Sequence, residues 1–243
     1  MGASDVIDRL WADVTSPVPP EPLAAMLALA AVGASLLVPT LWHTVRHIIT
    51  VAHEGGHAAV AAVMGRKVRG IRLHSDTSGV TVSSGDTRRL PIALKAFAGY
   101  PAPAVLGLGA AALIAAGHAI ALLWIVVLVL VVVLIRVRNA YGLLVMVLAI
   151  AAFVAAAWSL PDPWRVGLAY GVAWLLLLGA MRAVVELQAS RRVGRGRGSD
   201  ADVLARLTHV PGVPWVGLFW LVTAACAVLG GWWLLAPVAE AWF

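Results

Sequence analysis

Ile48-Ile49-Thr50-Val51-Ala52-His53-Glu54-Gly55-Gly56-His57-Ala58-Ala59-Val60-Ala61-Ala62-Val63 sets an H-E-x-x-H pattern inside an apolar run long enough to span a membrane. Histidines at i and i+4 lie about one helical turn apart on one face, so both imidazoles can reach one metal ion while Glu54 points toward a metal-held water. A zinc ion there would lower the pKa of that water to about 7 and polarise a peptide carbonyl. Glu54 would take the proton as general base and return it to the leaving amine. Gly55 and Gly56 each cost about 1 kcal/mol relative to alanine in a helix interior. Close helix packing accounts for them, and so does the approach of a substrate strand.

Working outward, the 243 residues are 61% hydrophobic and only 12% charged, with a mean hydropathy of +0.90. That excludes an ordinary soluble composition and implies a polytopic membrane protein. Cys226 is the only cysteine, so neither an intrachain disulfide nor a cysteine zinc site can form, and any metal must be held by His, Asp or Glu. A net charge of +6 with pI about 10.4 reports basic loops rather than nucleic-acid binding, since no soluble basic domain exists to carry that function. Asp5, Asp8, Asp13 and Glu21, with Pro17, Pro19, Pro20 and Pro22, argue against a cleavable signal peptide; residues 1–22 read as a polar lead-in, amphipathic or irregular.

Apolar runs at 23–42, 46–64, 91–116, 119–135, 140–158, 166–187 and 214–236 predict an all-α membrane protein of about seven transmembrane helices in a single domain, 23–243. Val68, Ile71, Leu73, Val80 and Val82 among polar residues, with Ser78-Gly79 in the middle, predict a β-hairpin over 66–86, after the second helix. Residues 188–211, with Arg191, Arg192, Arg195 and Arg197 among glycines, read as a flexible basic loop. Thirteen lysines and arginines fall in the hairpin, the turn near 137 and this loop, against Arg46 and Arg165 on the opposite side. The expectation is that the hairpin, the basic loop and the N-terminus face the cytoplasm and the C-terminus faces outside. His57 then lies about seven residues, or roughly 10 Å, from the cytoplasmic end of its helix. Ionisable groups at that depth usually mark a functional site.

A third ligand has to be an oxygen on the same side, and Asp200, Glu186 and Asp202 are the candidates. Asp200 or Ser199 also suits the N-cap of a short helix over 201–207. His43 and His47 repeat the i, i+4 spacing without a glutamate between and read as interfacial, while His74, His118 and His209 have no ligand spacing. Trp215, Trp220, Trp232, Trp233 and Trp242 fit an aromatic belt, and Gly99, Gly107 and Gly109 fit helix packing.

His53-Glu54-Gly55-Gly56-His57, the hairpin element Asp76-Thr77-Ser78-Gly79-Val80-Thr81, Ala98-Gly99-Tyr100-Pro101, Arg138-Asn139-Ala140-Tyr141-Gly142 and Gly198-Ser199-Asp200-Ala201 together resemble the site-2 protease family of intramembrane zinc metalloproteases, in its shorter bacterial and plant branch. The resemblance covers most of the chain. It implies His53 and His57 as zinc ligands, Glu54 as catalytic base and a later acidic side chain as third ligand, with the Ser-Asp-Ala element favouring Asp200. The better-known members use an aspartate followed by glycine, in a segment with asparagine and proline. Here no such dipeptide exists, and Asn139 is the only asparagine. Asn139 reads either as an oxyanion or substrate-backbone donor or as a helix N-cap.

The hairpin has two readings, a sheet edge that binds substrate by strand addition and a surface cap on the bundle. The partners expected are a membrane-embedded or membrane-adjacent protein substrate and the lipid bilayer, with zinc as cofactor, no nucleic acid, and a multi-pass location in a bacterial cell membrane. The oligomeric state is left open. The rival reading is a non-proteolytic member or a metal-handling membrane protein. Transporters often carry internal repeats and polar residues in several spans, whereas this chain has no evident repeat and concentrates its polar residues at one motif.

Overall fold

The computed structural model describes residues 2–194 and 198–240; Arg195, Gly196 and Arg197 of the basic loop, and Trp242, lie outside the described residues. Among the described residues there are ten helices and one two-stranded antiparallel sheet. In chain order these are α1 (Ala3–Thr15), α2 (Pro22–Leu37), α3 (Pro39–Val63), β1 (Lys67–Leu73), β2 (Gly79–Ser84), α4 (Arg89–Ala98), α5 (Pro101–Ala115), α6 (Ala119–Leu134), α7 (Ala140–Ser159), α8 (Asp162–Arg192), α9 (Asp200–Thr208) and α10 (Gly212–Glu240). The hairpin falls where the alternation placed it.

The span count differs from seven. Helices α7, α8 and α10 are singly long and apolar enough to cross a membrane, whereas α2–α3 and α4–α5 pass that test only as pairs bent by 106° and 58°. Helix α6 is apolar but 16 residues long. The count is therefore three, or up to five with each bent pair taken as one span. Proline is the cause. Pro39 has no N–H and its ring drives Val38 out of the helical region, to φ −90° and ψ 115°, so α2 ends there and α3 leaves in a new direction. The runs 23–42 and 46–64, which read as two crossings, form a pair of helices bent by 106°.

The N-terminal segment also lies elsewhere than expected. Val18 donates its N–H to the Gly117 carbonyl at 2.8 Å, and Asp13 pairs with Arg165 at 2.6 Å. The segment thus sits at the α5–α6 turn and the α7–α8 junction. Seven alternating spans would put it beside the hairpin instead. The hairpin lies at the other end of α6, where Arg136 and Arg138 bond Ile71 of β1.

Helix α8 is the centre of the bundle, packed against α2, α3, α5, α6 and α10. At about 1.5 Å per residue its 31 residues are longer than a hydrocarbon core of about 30 Å requires. Small residues set the helix approaches. A methyl added at Gly107 would meet Leu177 at 2.9 Å and one at Gly179 would meet Ile49 at 2.7 Å, whereas Gly109 faces open space and is not a packing position. On the outside, α6, α7 and α10 leave Leu128, Val132, Leu144, Leu148, Val228 and Trp232 exposed, the apolar surface a lipid environment requires.

Candidate metal centre

Helix α3 buries Glu54 and His57 and half-buries His53. Helix α9 brings the third group. Its N-cap is Ser199, in extended conformation, and Ala201 and Leu204 are fully buried in a cluster with Ala96 of α4 and Phe219 of α10. That anchor leaves Asp200, in the first turn of α9, directed at α3. The sequence alternatives are thereby separated: Ser199 takes the cap position and Asp200 meets the histidines.

The Nε2 atoms of His53 and His57 lie 3.1 Å apart, and Asp200 Oδ2 lies 3.2 Å from the first and 3.3 Å from the second. Three corners of a tetrahedron around an ion with bonds of about 2.0–2.1 Å are separated by about 3.3 Å. The donor set fits zinc in spacing and in kind. The tautomer of His57 strengthens the fit: Nδ1 lies 2.7 Å from the Lys95 carbonyl, which can only accept, so Nδ1 carries the proton and Nε2 presents a lone pair. Two imidazole nitrogens and a carboxylate oxygen thus converge in a set that could hold a metal ion.

Side chains that sequence reasoning did not single out support this triangle. Thr81 of β2 donates its hydroxyl to Glu54 Oε2 at 2.6 Å. Lys95 offers its carbonyl to His57 and donates Nζ to the Thr81 carbonyl at 2.9 Å. Tyr100 stands edge-on to His53, with ring centroids 4.8 Å apart. Gly99, expected to pack helices, instead faces the imidazoles, where a Cβ would fall 2.5 Å from His57 Cε1 and 2.6 Å from His53 Nε2. Gly79 plays the same part toward Glu54, whose Cγ a Cβ there would meet at 2.7 Å. The signals were present only as glycines and a threonine inside quoted motifs, and their partners lie tens of residues away.

The other candidates are placed elsewhere. Glu186 pairs with Arg46 at 3.0 Å and accepts from Trp42. Asp202 pairs with Arg191 and accepts the Gly198 N–H at 3.0 Å. Asn139 is at the N-cap position of α7 but makes no side-chain capping bond; its amide accepts the Leu73 N–H at 3.1 Å and donates to the Leu73 carbonyl at 2.7 Å. It therefore holds β1. His47 Nε2 lies 2.9 Å from the Tyr141 hydroxyl.

A cavity of about 360 Å³ opens beside the cluster, lined by His53, Glu54, Gly79, Tyr100 and Glu186 among others. At its rim Thr77 holds a left-handed backbone, φ 67°, unusual for a β-branched residue. Its hydroxyl accepts from Arg46 and its carbonyl accepts from Thr50 at 2.7 Å, which fixes the hairpin tip over α3.

No curated protein and no solved structure matches the chain. A family model does, over residues 24–230, and that stretch contains α3 to α9, the three converging groups, Glu54 and the hairpin. A pair of helical histidines, a buried glutamate between them and an aspartate delivered by a later helix are what that match covers, and the chain belongs to the Peptidase M50B-like family, within the site-2 proteases.

Proposed function

We propose that this protein is an intramembrane zinc metalloprotease that hydrolyses a peptide bond in a membrane-embedded or membrane-adjacent protein. The observation that carries the reading is the convergence of His53 Nε2, His57 Nε2 and Asp200 Oδ2 within 4.8 Å of one another, beside a cavity that Glu54 also lines. His53, His57 and Asp200 would hold the metal. Zinc, when bound at such a site, supplies Lewis acidity to a carbonyl and acidifies water toward neutral pH. Glu54 accepts the water's proton and passes it to the departing amine. Thr81 orients that carboxylate through Oε2.

The sheet supports strand addition over a simple surface cap. Ile71 engages its N–H and carbonyl with Arg136 and Arg138, so Thr81, its partner on β2, turns its own main-chain groups to the opposite side. Gly79, paired with Leu73, shares that parity. The outer edge of β2 thus presents main-chain groups next to Glu54, the Thr81 carbonyl also accepting from Lys95 Nζ, and an extended substrate segment can pair with those that remain open. Extension is chemically necessary because a helical peptide bond is already hydrogen-bonded. Asn139 contributes indirectly, by holding β1 behind β2.

Purified wild-type protein should retain one zinc per chain and cleave a transmembrane peptide. Glu54→Gln should retain zinc and lose about 10²–10⁴ in rate, and His53→Ala should lose both. Unchanged cleavage by the Glu54 variant sinks the catalytic assignment; zinc without cleavage of any candidate substrate favours a non-proteolytic member.

A further inference from the structure

Helix α1 divides into three longitudinal sectors. Its inward sector carries Arg9 and Asp13. The Arg9 guanidinium stacks 4.3 Å above the Trp158 ring, and Asp13 pairs with Arg165 at 2.6 Å and accepts from Trp124 at 3.0 Å. A second sector, Ile7, Trp11 and Val14, is apolar yet 63%, 70% and 43% exposed. At 100° per residue these three share one face, and Ser4, Asp8 and Thr15, also exposed, form the adjoining polar sector. An ordinary surface helix turns its apolar stripe to the protein. This one is held by charged side chains and turns that stripe away.

The level at which α1 is tied down identifies what meets the stripe. Its partners are Trp158 in the last turn of α7, Arg165 in the first turn of α8, and Trp124, five residues into α6, or about 7 Å from its start at 1.5 Å per residue. Those are the ends of apolar helices whose outer surfaces, with Ile125, Leu128, Leu148 and Val154, are exposed as well. The apolar sector of α1 continues that surface at the depth where hydrocarbon gives way to headgroups, and tryptophan is favoured there.

We propose that α1 is an interfacial anchor: protein lies beneath it, Ile7, Trp11 and Val14 sit in the acyl–headgroup boundary, and Ser4, Asp8 and Thr15 face water. The exposed face carries no lysine or arginine, because Arg9 is turned inward, so the contact is made with zwitterionic as well as anionic lipid. It lies at the end of the bundle opposite the metal cluster and does not depend on proteolytic activity.

The test uses the full-length chain in phosphatidylcholine nanodiscs, in a Cys226→Ser background, with single nitroxide labels at positions 4, 7, 8, 11, 14 and 15. Labels at 7, 11 and 14 should collide several-fold more with oxygen than with an aqueous nickel chelate, and labels at 4, 8 and 15 should show the reverse. Nickel access at 7, 11 and 14 equal to that at 8 overturns the proposal. So does shielding of all three from both quenchers, which would place a second copy or another protein on the stripe. All six positions are exposed, so labelling leaves the core intact; Ile7→Asp adds a check, with the label at 11 becoming nickel-accessible while cluster geometry and zinc content stay unchanged.

Discussion

Two polar clusters lie at opposite ends of the bundle, and they differ in the groups they bring together. Arg165, with a side chain only 6% exposed, has Asp13 at 2.6 Å and Asp162 at 2.8 Å. Its cation pairs with both carboxylates, and Trp124 and Arg9 extend the contact to α6 and α7. His53, His57 and Asp200 instead turn two Nε2 atoms and Oδ2 toward one another, with Nδ1 of His57 donating to the Lys95 carbonyl. The first cluster holds helices together with what the chain itself supplies. The second gathers two imidazole nitrogens and a carboxylate oxygen at metal-ligand spacing. The Arg46–Glu186 pair is of the first kind, which is why Glu186, though it lines the cavity, is the weaker ligand candidate: Arg46 and Trp42 already engage it.

The sharpest way to break this contrast is to remove a carboxylate from each kind of cluster. Asp200→Ala is expected to abolish retention of zinc through gel filtration, measured by elemental analysis, whereas Glu186→Ala retains it. Loss of zinc in both would dissolve the distinction. At the other end, Arg165→Met leaves Asp13 buried without its cation and should cost about 3–5 kcal/mol, read as a lowered unfolding temperature in detergent with zinc content unaltered. Adding Asp13→Asn should recover part of that loss. A fall in zinc content would mean the two ends are coupled.

A smaller effect is expected at Gly99. Alanine there presses on both imidazoles, and outer-shell disturbances typically weaken metal binding about 10–100-fold; we expect about tenfold in a competition titration with a zinc indicator. Gly109→Ala, which meets nothing within 4 Å, is the control. The smallest concerns Asp76 at the hairpin tip. Side-chain and main-chain hydrogen bonds from Ser78, aided by His74, hold its carboxyl below the ordinary value of 3.8. Because the folded pKa is the lower one, the turn is fully stabilised above the ordinary value and loses that contribution as pH falls through the folded one. The Ser78 amide shift should titrate with a midpoint below about 3.9, and a midpoint at or above it removes Asp76 from the turn.

Much of the site was legible before any coordinates because its first parts are local. The i, i+4 histidines and Glu54 share one helical turn, and hairpin alternation over 66–86 is a period that a chain cannot hide. The span count was harder. An apolar run records that a segment avoids water but not whether it turns at Pro39 or Pro101, and two runs separated by a kink look like two crossings. Asn139 was hard to read for a related reason: a lone buried amide demands partners, but only β1, more than sixty residues earlier, shows that Leu73 is one.

Composition, periodicity and one helical motif by themselves determined that this chain belongs in a membrane, carries a hairpin after its histidine pair and presents two imidazoles with a carboxylate between them. Those are properties of neighbours in sequence, governed by the pitch of a helix and the pleat of a strand. Tertiary structure decided which of three distant carboxylates meets the histidines, which edge of the hairpin is free and which end of the bundle holds the N-terminal helix. Each depends on long-range packing: Ala201 and Leu204 seat α9, Arg136 and Arg138 cover one edge of β1, and Arg165 captures Asp13.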